Sequence, residues 1–200
     1  MGIGRQISYN TLGNVTTLFG QWLIIMLIPM ITDFNEAGIF AVAISASSIL
    51  NQIAIFTLNQ YQVVDQYIKF SENDYAVTRI VTIAFSFILI LPISALFGYG
   101  LNQILIIVAY TTYRNLINYA YLHQSSLQLI NHLDYAGKCM VLEGVVSFSV
   151  FVGSYIISTN LILSTTLMAL IGGGIFLATM SYGHRIYLNR GFVLDLRKKN

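Results

Sequence analysis

Apolar residues in this chain gather into six runs, at about residues 9–31, 38–59, 76–97, 101–122, 139–157 and 161–182, each interrupted by only scattered polar positions. A helix of ~20 residues, rising ~1.5 Å per residue, covers the ~30 Å of a bilayer's hydrocarbon core. The runs lack the two-residue alternation of barrel strands, and closed barrels and helices are the two ways to satisfy a backbone in lipid. The pattern therefore predicts an all-α polytopic membrane protein. Its six spans form one bundle lobe over residues 1–184, followed by a basic tail at 185–200.

The polar positions inside the runs are ordered. In the fourth run, LNQILIIVAYTTYRNLINYAYL, residues Gln103, Tyr110, Arg114, Asn118 and Tyr121 fall on one side of a helix at 100° per residue. The first run carries Asn10, Asn14, Thr17 and Gln21 at spacings of four, three and four. In the second, Ser45, Ser48, Gln52 and Asn59 cluster, with Ser47 and Asn51 beside them. Such stripes have two explanations: hydrogen bonds that glue spans together, or the wet wall of a shared cavity. Three stripes in the first four spans favour the cavity. The substrate-facing candidates are Arg114, Asn118, Tyr110, Gln103, Asn10, Asn14, Gln21, Gln52 and Asn59.

Arg114 is the sharpest feature. An arginine at membrane depth costs several kcal/mol on insertion scales, about 3 for the helix centre, and such residues face a bundle interior or a hydrated path. The competing reading is snorkelling, with the aliphatic stem carrying the guanidinium to the headgroups, which lie about 10 Å away if the span ends near Tyr121.

Punctuation between the runs agrees with six spans. Pro29 and Pro92 stand near the far ends of the first and third, where a missing N–H bends or ends a helix. Gly98-Tyr99-Gly100 makes a tight turn into the fourth, and Ser71 with Asp74 has capping-box spacing ahead of the third. Gly172-Gly173-Gly174 in the sixth predicts close helix contact, with a hinge as the alternative. The segment 123–138 extends the fourth and fifth helices beyond the membrane face, with Asp134 and Lys138 at the supporting i, i+4 spacing.

Composition sharpens the class. The 200 residues are 56% hydrophobic and 9% charged, against ~25% charged in soluble proteins. Arg5, Lys69, Arg79, Lys138 and the tail residues Arg185, Arg190, Arg197, Lys198 and Lys199 all fall on one side of a six-span arrangement. The connections after spans one, three and five carry no lysine or arginine, so the positive-inside rule places both termini in the cytoplasm; the cell membrane is the expected location. The single cysteine, Cys139, is read as a buried thiol without chemistry. His123 and His132 lack a partner set with metal-ligand spacing and are read as solvated interfacial residues. Glu143 is read as a headgroup-level acid facing Lys138.

No enzymatic constellation emerges: there is no HExxH, no phosphate-cradling glycine loop and no acid-rich magnesium motif. The chain is read as a non-enzyme with no metal or cofactor. A polar, cationic interior suits transport of something anionic.

Four stretches carry a resemblance: YNTLGNVTTLFGQWLIIMLIPMI, FNEAGIFAVAISASSILNQ, LNQYQVVDQYIKFSENDYAVTR and LINHLDYAGKCMVLEGVV. With them the chain resembles the N-terminal half of a polysaccharide or O-antigen flippase of the multidrug/oligosaccharidyl-lipid/polysaccharide exporter superfamily. The resemblance implies two six-helix lobes around a cavity that opens alternately to either face. Through it a polyprenyl-pyrophosphate-linked oligosaccharide, used in polysaccharide or capsule biosynthesis, is turned over. It implies that Arg114 engages the anionic headgroup, that the stripes of spans one and two line the cavity, and that this half or truncated form works with a second six-helix lobe. Two other readings stand beside it. One is a lobe of a multidrug or cation antiporter, which needs a carboxylate deep in a cavity, whereas Asp33, Glu36, Asp65 and Glu143 are read nearer the span ends. The other is a non-transporting scaffold of a glycan-assembly complex.

Overall fold

A computed structural model describes residues 3–64, 70, 72–129 and 131–189. Among these residues there is no strand. The chain forms α1 (Ile3–Ile31), α2 (Phe34–Ile55), α3 (Leu58–Val64), α4 (Glu72–Ile88), α5 (Ile90–Phe97), α6 (Leu101–Leu129), α7 (Leu133–Ser158), α8 (Leu161–Leu167), a π-helical turn (Met168–Gly173) and α9 (Gly174–Asn189). Ser71 of the expected capping box, Asp65, Lys69 and the tail from Arg190 onward lie outside the described residues.

The breaks have local causes. α1 ends two residues after Pro29. α4 and α5 meet at Leu89, one turn before Pro92, whose ring offers no N–H to the carbonyl of Ile88. Gly98 closes α5 with a left-handed φ of 66°. α2 stops where Phe56 and Thr57 both turn left-handed, at φ 42° and 51°. Non-glycine residues enter that region at a cost of on the order of 1 kcal/mol each, so surrounding structure must hold them there. Arg79 does so, as described below.

Five helical stretches are long and apolar enough to cross a membrane: Gly4–Ile31, Phe34–Val64, Asn73–Phe97, Leu133–Ser158 and Leu161–Ile186. The fourth run of the sequence is the exception. α6 has 29 residues, about 43 Å of helix, yet its composition is too polar to join the five. Its position explains this. α6 is packed by α2, α3, α4, α5, α7, α8, the π turn and α9, so more of its surface meets protein than that of the outer helices, though Leu101 and Leu105 remain exposed near its start. Thr111, Asn115, Asn118, Ser125 and Ser126 are all buried on it.

Outer faces are apolar. Leu18, Phe19 and Met26 of α1, and Val81, Leu91 and Leu96 of α4 and α5, are more than half exposed or close to it, as expected for surfaces turned to lipid.

Cross-helix partners give the directions. α2 and α6 run parallel, since Ser47 meets Thr111 and Asn51 meets Asn118. α1 and α6 run antiparallel, since Asn10 meets Gln124 and Gln21 meets Arg114. α1 and α7 form the most extensive packing in the molecule and run parallel, with Gly13 against Gly137 and Gly20 against Gly144. Both glycine pairs are seven residues apart in each helix, two turns on one face, so the backbones approach without side chains between them. Gly172 and Gly173 do the same for the last segment. Gly172 abuts Ser147 of α7, and a Cβ on Gly173 would lie 3.0 Å from Leu116 of α6. The glycine run therefore serves close contact and also sits at the end of the π turn, a widened turn often found at functional positions.

Candidate functional site

Arg114 lies near the middle of α6, about 20 Å from either end. Its guanidinium turns sideways to α1, where Nη1 donates to Gln21 Oε1 at 3.2 Å. Ten residues along α6, Gln124 Nε2 donates to Asn10 Oδ1 at 3.1 Å, with Met140 Sδ of α7 at 3.7 Å. Arg114, Gln21, Asn10 and Gln124 are all half-buried. They form a polar seam between two antiparallel helices, open along one side. Asn14 stands exposed beside it and donates to the Asn10 carbonyl at 3.0 Å.

The expected single stripe on α6 is divided by the structure. Asn118 faces α2, where its Nδ2 donates to Asn51 Oδ1 at 2.8 Å, both residues buried. Ser47 and Thr111 pair above them at 3.0 Å, and Gln62 donates to Ser126 at 3.1 Å below. This is a dry ladder joining α2 to α6, the gluing role polar side chains commonly take between spans. Tyr110 is buried edge-on against Phe40 and beside Tyr113. Gln103 accepts the N–H of Gly100 at 2.8 Å, capping the start of α6. Gln52 is exposed on α2, and Asn59 accepts a hydrogen bond from Arg79. A 100° projection places residues on a broad face but cannot tell which of two neighbours covers each edge of it.

Two charged residues have roles the sequence reading placed elsewhere. Arg79, counted with the basic connections, is fully buried in α4. Nη1 donates to the carbonyls of Ala54 and Ile55 at 2.9 and 2.8 Å, and Nη2 donates to Asn59 Oδ1. Thr82 adds a bond to Ala54 O at 2.9 Å. The cation thus meets the unpaired carbonyls at the end of α2, the negative pole of that helix, and locks the break before α3. A cavity of about 300 Å³, lined by Phe56, Tyr61, Phe70 and Tyr75 among others, adjoins it.

Glu143, expected at headgroup level facing Lys138, is 1% exposed inside the bundle. Tyr113 of α6 and Ser147 of α7 donate to Oε1, the latter at 3.0 Å, and Thr17 of α1 meets Oε2 at 2.9 Å. Lys138 pairs instead with Asp134 at 3.9 Å and lies over the Tyr9 ring. Ser147 at i+4 was the one local sign of this cluster, because Tyr113 and Thr17 come from distant helices. His123, read as solvated, is half-buried with its Nδ1 3.1 Å from Nδ1 of His184 on α9. Among the described residues no group of three histidine, cysteine or acidic side chains is placed to hold a metal ion.

No family model, no curated protein and no solved structure matches this chain.

Proposed function

We propose that this chain is a six-span lobe of a membrane transporter that moves an anionic, lipid-linked oligosaccharide, with α6 as its fourth span alongside the five apolar ones and both termini in the cytoplasm. One observation carries the reading: a guanidinium half-way along a membrane-length helix, half-exposed and held by an amide from α1. A cation that far from either helix end has a use for an anion, and the seam of Gln21, Asn10 and Gln124 offers hydroxyl-rich sugars both donors and acceptors. The directions of α1, α2, α6 and α7, with α1 beside α7 and α2 beside α6 parallel and α1 opposed to α6, and the side of the chain on which its basic residues fall support the orientation. Gln52 and Asn14, polar and exposed, give a partner lobe something to meet.

The test is complementation of a polysaccharide-export-deficient strain, with the chain alone and with a second six-span lobe. Rescue that needs the partner and is lost with Arg114→Ala supports the reading, and rescue that survives Arg114→Ala removes the seam from the mechanism. Glu143 favours a second reading, a lobe of a multidrug or cation antiporter, because a carboxylate does lie deep in the bundle. Drug tolerance conferred on the same strain, without export, would select it.

A further inference from the structure

We propose that the end of the bundle where α1 and α7 begin holds an anionic phospholipid, its phosphate gripped between Arg5 and Lys138 beside the Tyr9 ring. The inference rests on α1 and α7 being membrane-length apolar helices and holds whichever cargo the lobe carries.

Backbone contact sets the grip. A Cβ on Gly137 of α7 would strike the Tyr9 carbonyl oxygen of α1, so the two parallel helices start side by side with nothing between them. From that register Arg5 and Lys138 reach one ring: Arg5 Cζ lies 5.6 Å and Lys138 Nζ 5.2 Å from the Tyr9 centroid, both within the ~6 Å over which a cation is drawn to an aromatic face. Two like charges are gathered at one point, where they repel. Among the described residues Arg5 has no carboxylate within ion-pair distance. Asp134, the acid 3.9 Å from Lys138, is buried, while 54% of the Lys138 side chain stays exposed. Both helices also turn their N-termini, the positive poles of their dipoles, to this side. The outer face of this cluster therefore suits an anion, and a phosphate offers oxygens to the guanidinium fork, the ammonium and the Tyr9 O–H together.

The rest of the ligand follows from what lies further along the helices. Arg5, Tyr9, Leu12 and Phe19 recur at spacings of four, three and seven, and Lys138, Leu142 and Val145 at four and three, so each cation heads an apolar stripe on its own helix. Leu12, Phe19, Leu142 and Val145 are all roughly half exposed, and the α1 pair lies about 10 and 20 Å beyond Arg5. A soluble phosphate would use the cations and leave both stripes bare, whereas a two-chain lipid covers head and stripes at once. Anionic phospholipids carry their charge at headgroup height, the level at which tyrosine is enriched in membrane proteins.

Binding of phosphatidylglycerol with a fluorescent acyl chain to the purified full chain in non-ionic detergent, read by anisotropy, tests this against phosphatidylcholine with the same chains. Phosphatidylglycerol is expected to bind at least about tenfold more tightly. Arg5→Gln and Lys138→Gln should each weaken it about fivefold, as expected for one basic residue at a membrane surface, and leave phosphatidylcholine unchanged. Arg185→Gln, an exposed cation on α9, should weaken it less than about twofold. Equal affinity for the two lipids, a loss with Arg185→Gln as large as with the other two, or inorganic phosphate displacing the lipid at equal concentration would each overturn the proposal. Should a glutamine variant not fold, salt decides it on the unsubstituted chain: selectivity for phosphatidylglycerol should collapse between about 50 and 500 mM NaCl, and selectivity that survives would overturn the proposal.

Discussion

Gly13 of α1 and Gly137 of α7 meet backbone to backbone: a methyl group added to Gly13 would lie 2.6 Å from the Gly137 carbonyl oxygen and 2.8 Å from Met140 Cβ. Neither atom is the loose end of a side chain, so a substitution there must push whole helices apart. Gly13→Ala is expected to cost about 1–3 kcal/mol of stability, the usual range for overpacking. Gly153→Ala on the same α7, with nothing within 4 Å, should hold stability or raise it by up to about 1 kcal/mol. Denaturant unfolding of the two purified variants, followed by circular dichroism, checks the contrast.

Arg79 makes the second prediction. Its fork satisfies two carbonyls and one amide oxygen at the end of α2. Arg79→Met strands them in an apolar setting, with an expected loss of about 2–4 kcal/mol. Arg79→Lys recovers little of this, since a single ammonium cannot reproduce the planar fork. Protease sensitivity between α2 and α4 should rise in both variants, read by limited proteolysis of the protein in detergent.

Asn51 and Asn118 test the dry ladder. A double-mutant cycle with alanine at each should return a coupling of about 1 kcal/mol, in the range measured for hydrogen bonds between spans. Export in the complementation assay should survive either single change that leaves the protein folded. Loss of export in folded Asn118→Ala would move that residue into the cargo path.

Arg114 is expected to behave in the opposite way. Among the described residues its side chain bonds only a half-buried glutamine, so Arg114→Ala should change stability by no more than about 0.5 kcal/mol while abolishing rescue. Arg114→Lys should restore part of it if an anion is the partner. A thermal melt alongside the rescue assay separates the two effects.

Much of the bundle was legible in the hydropathy pattern, because membrane-length helices announce themselves by length alone. The expected spans at 9–31 and 101–122 fall within α1 and α6, and the segment 123–138 does lengthen the fourth and fifth helices, α6 running on to Leu129 and α7 starting at Leu133. What the pattern could not reveal is which helix would sit at the centre. The polar residues of α6 that suggested a wet face are divided between an open seam at Arg114 and a closed ladder at Asn118. Arg79 was obscured for a related reason. A basic residue near a span end fits the rule for cytoplasmic loops, and only the carbonyls freed at Ala54 and Ile55 show why it is drawn inward. Glu143 needed two helices more than 25 residues away in sequence to complete its shell.

The side-by-side, same-direction union of α1 with α7 has a bearing on how the chain is made. At ribosomal speeds of roughly 5–20 residues per second, the partner for Gly13 emerges about 120 residues later, on the order of ten seconds after it. Through that interval the first segment waits with its glycine groove empty and the Thr17 hydroxyl without its partners on α7, Glu143 and the Met140 carbonyl. Any product cut short before the fifth apolar segment would be left in that condition, a ready target for quality-control proteases.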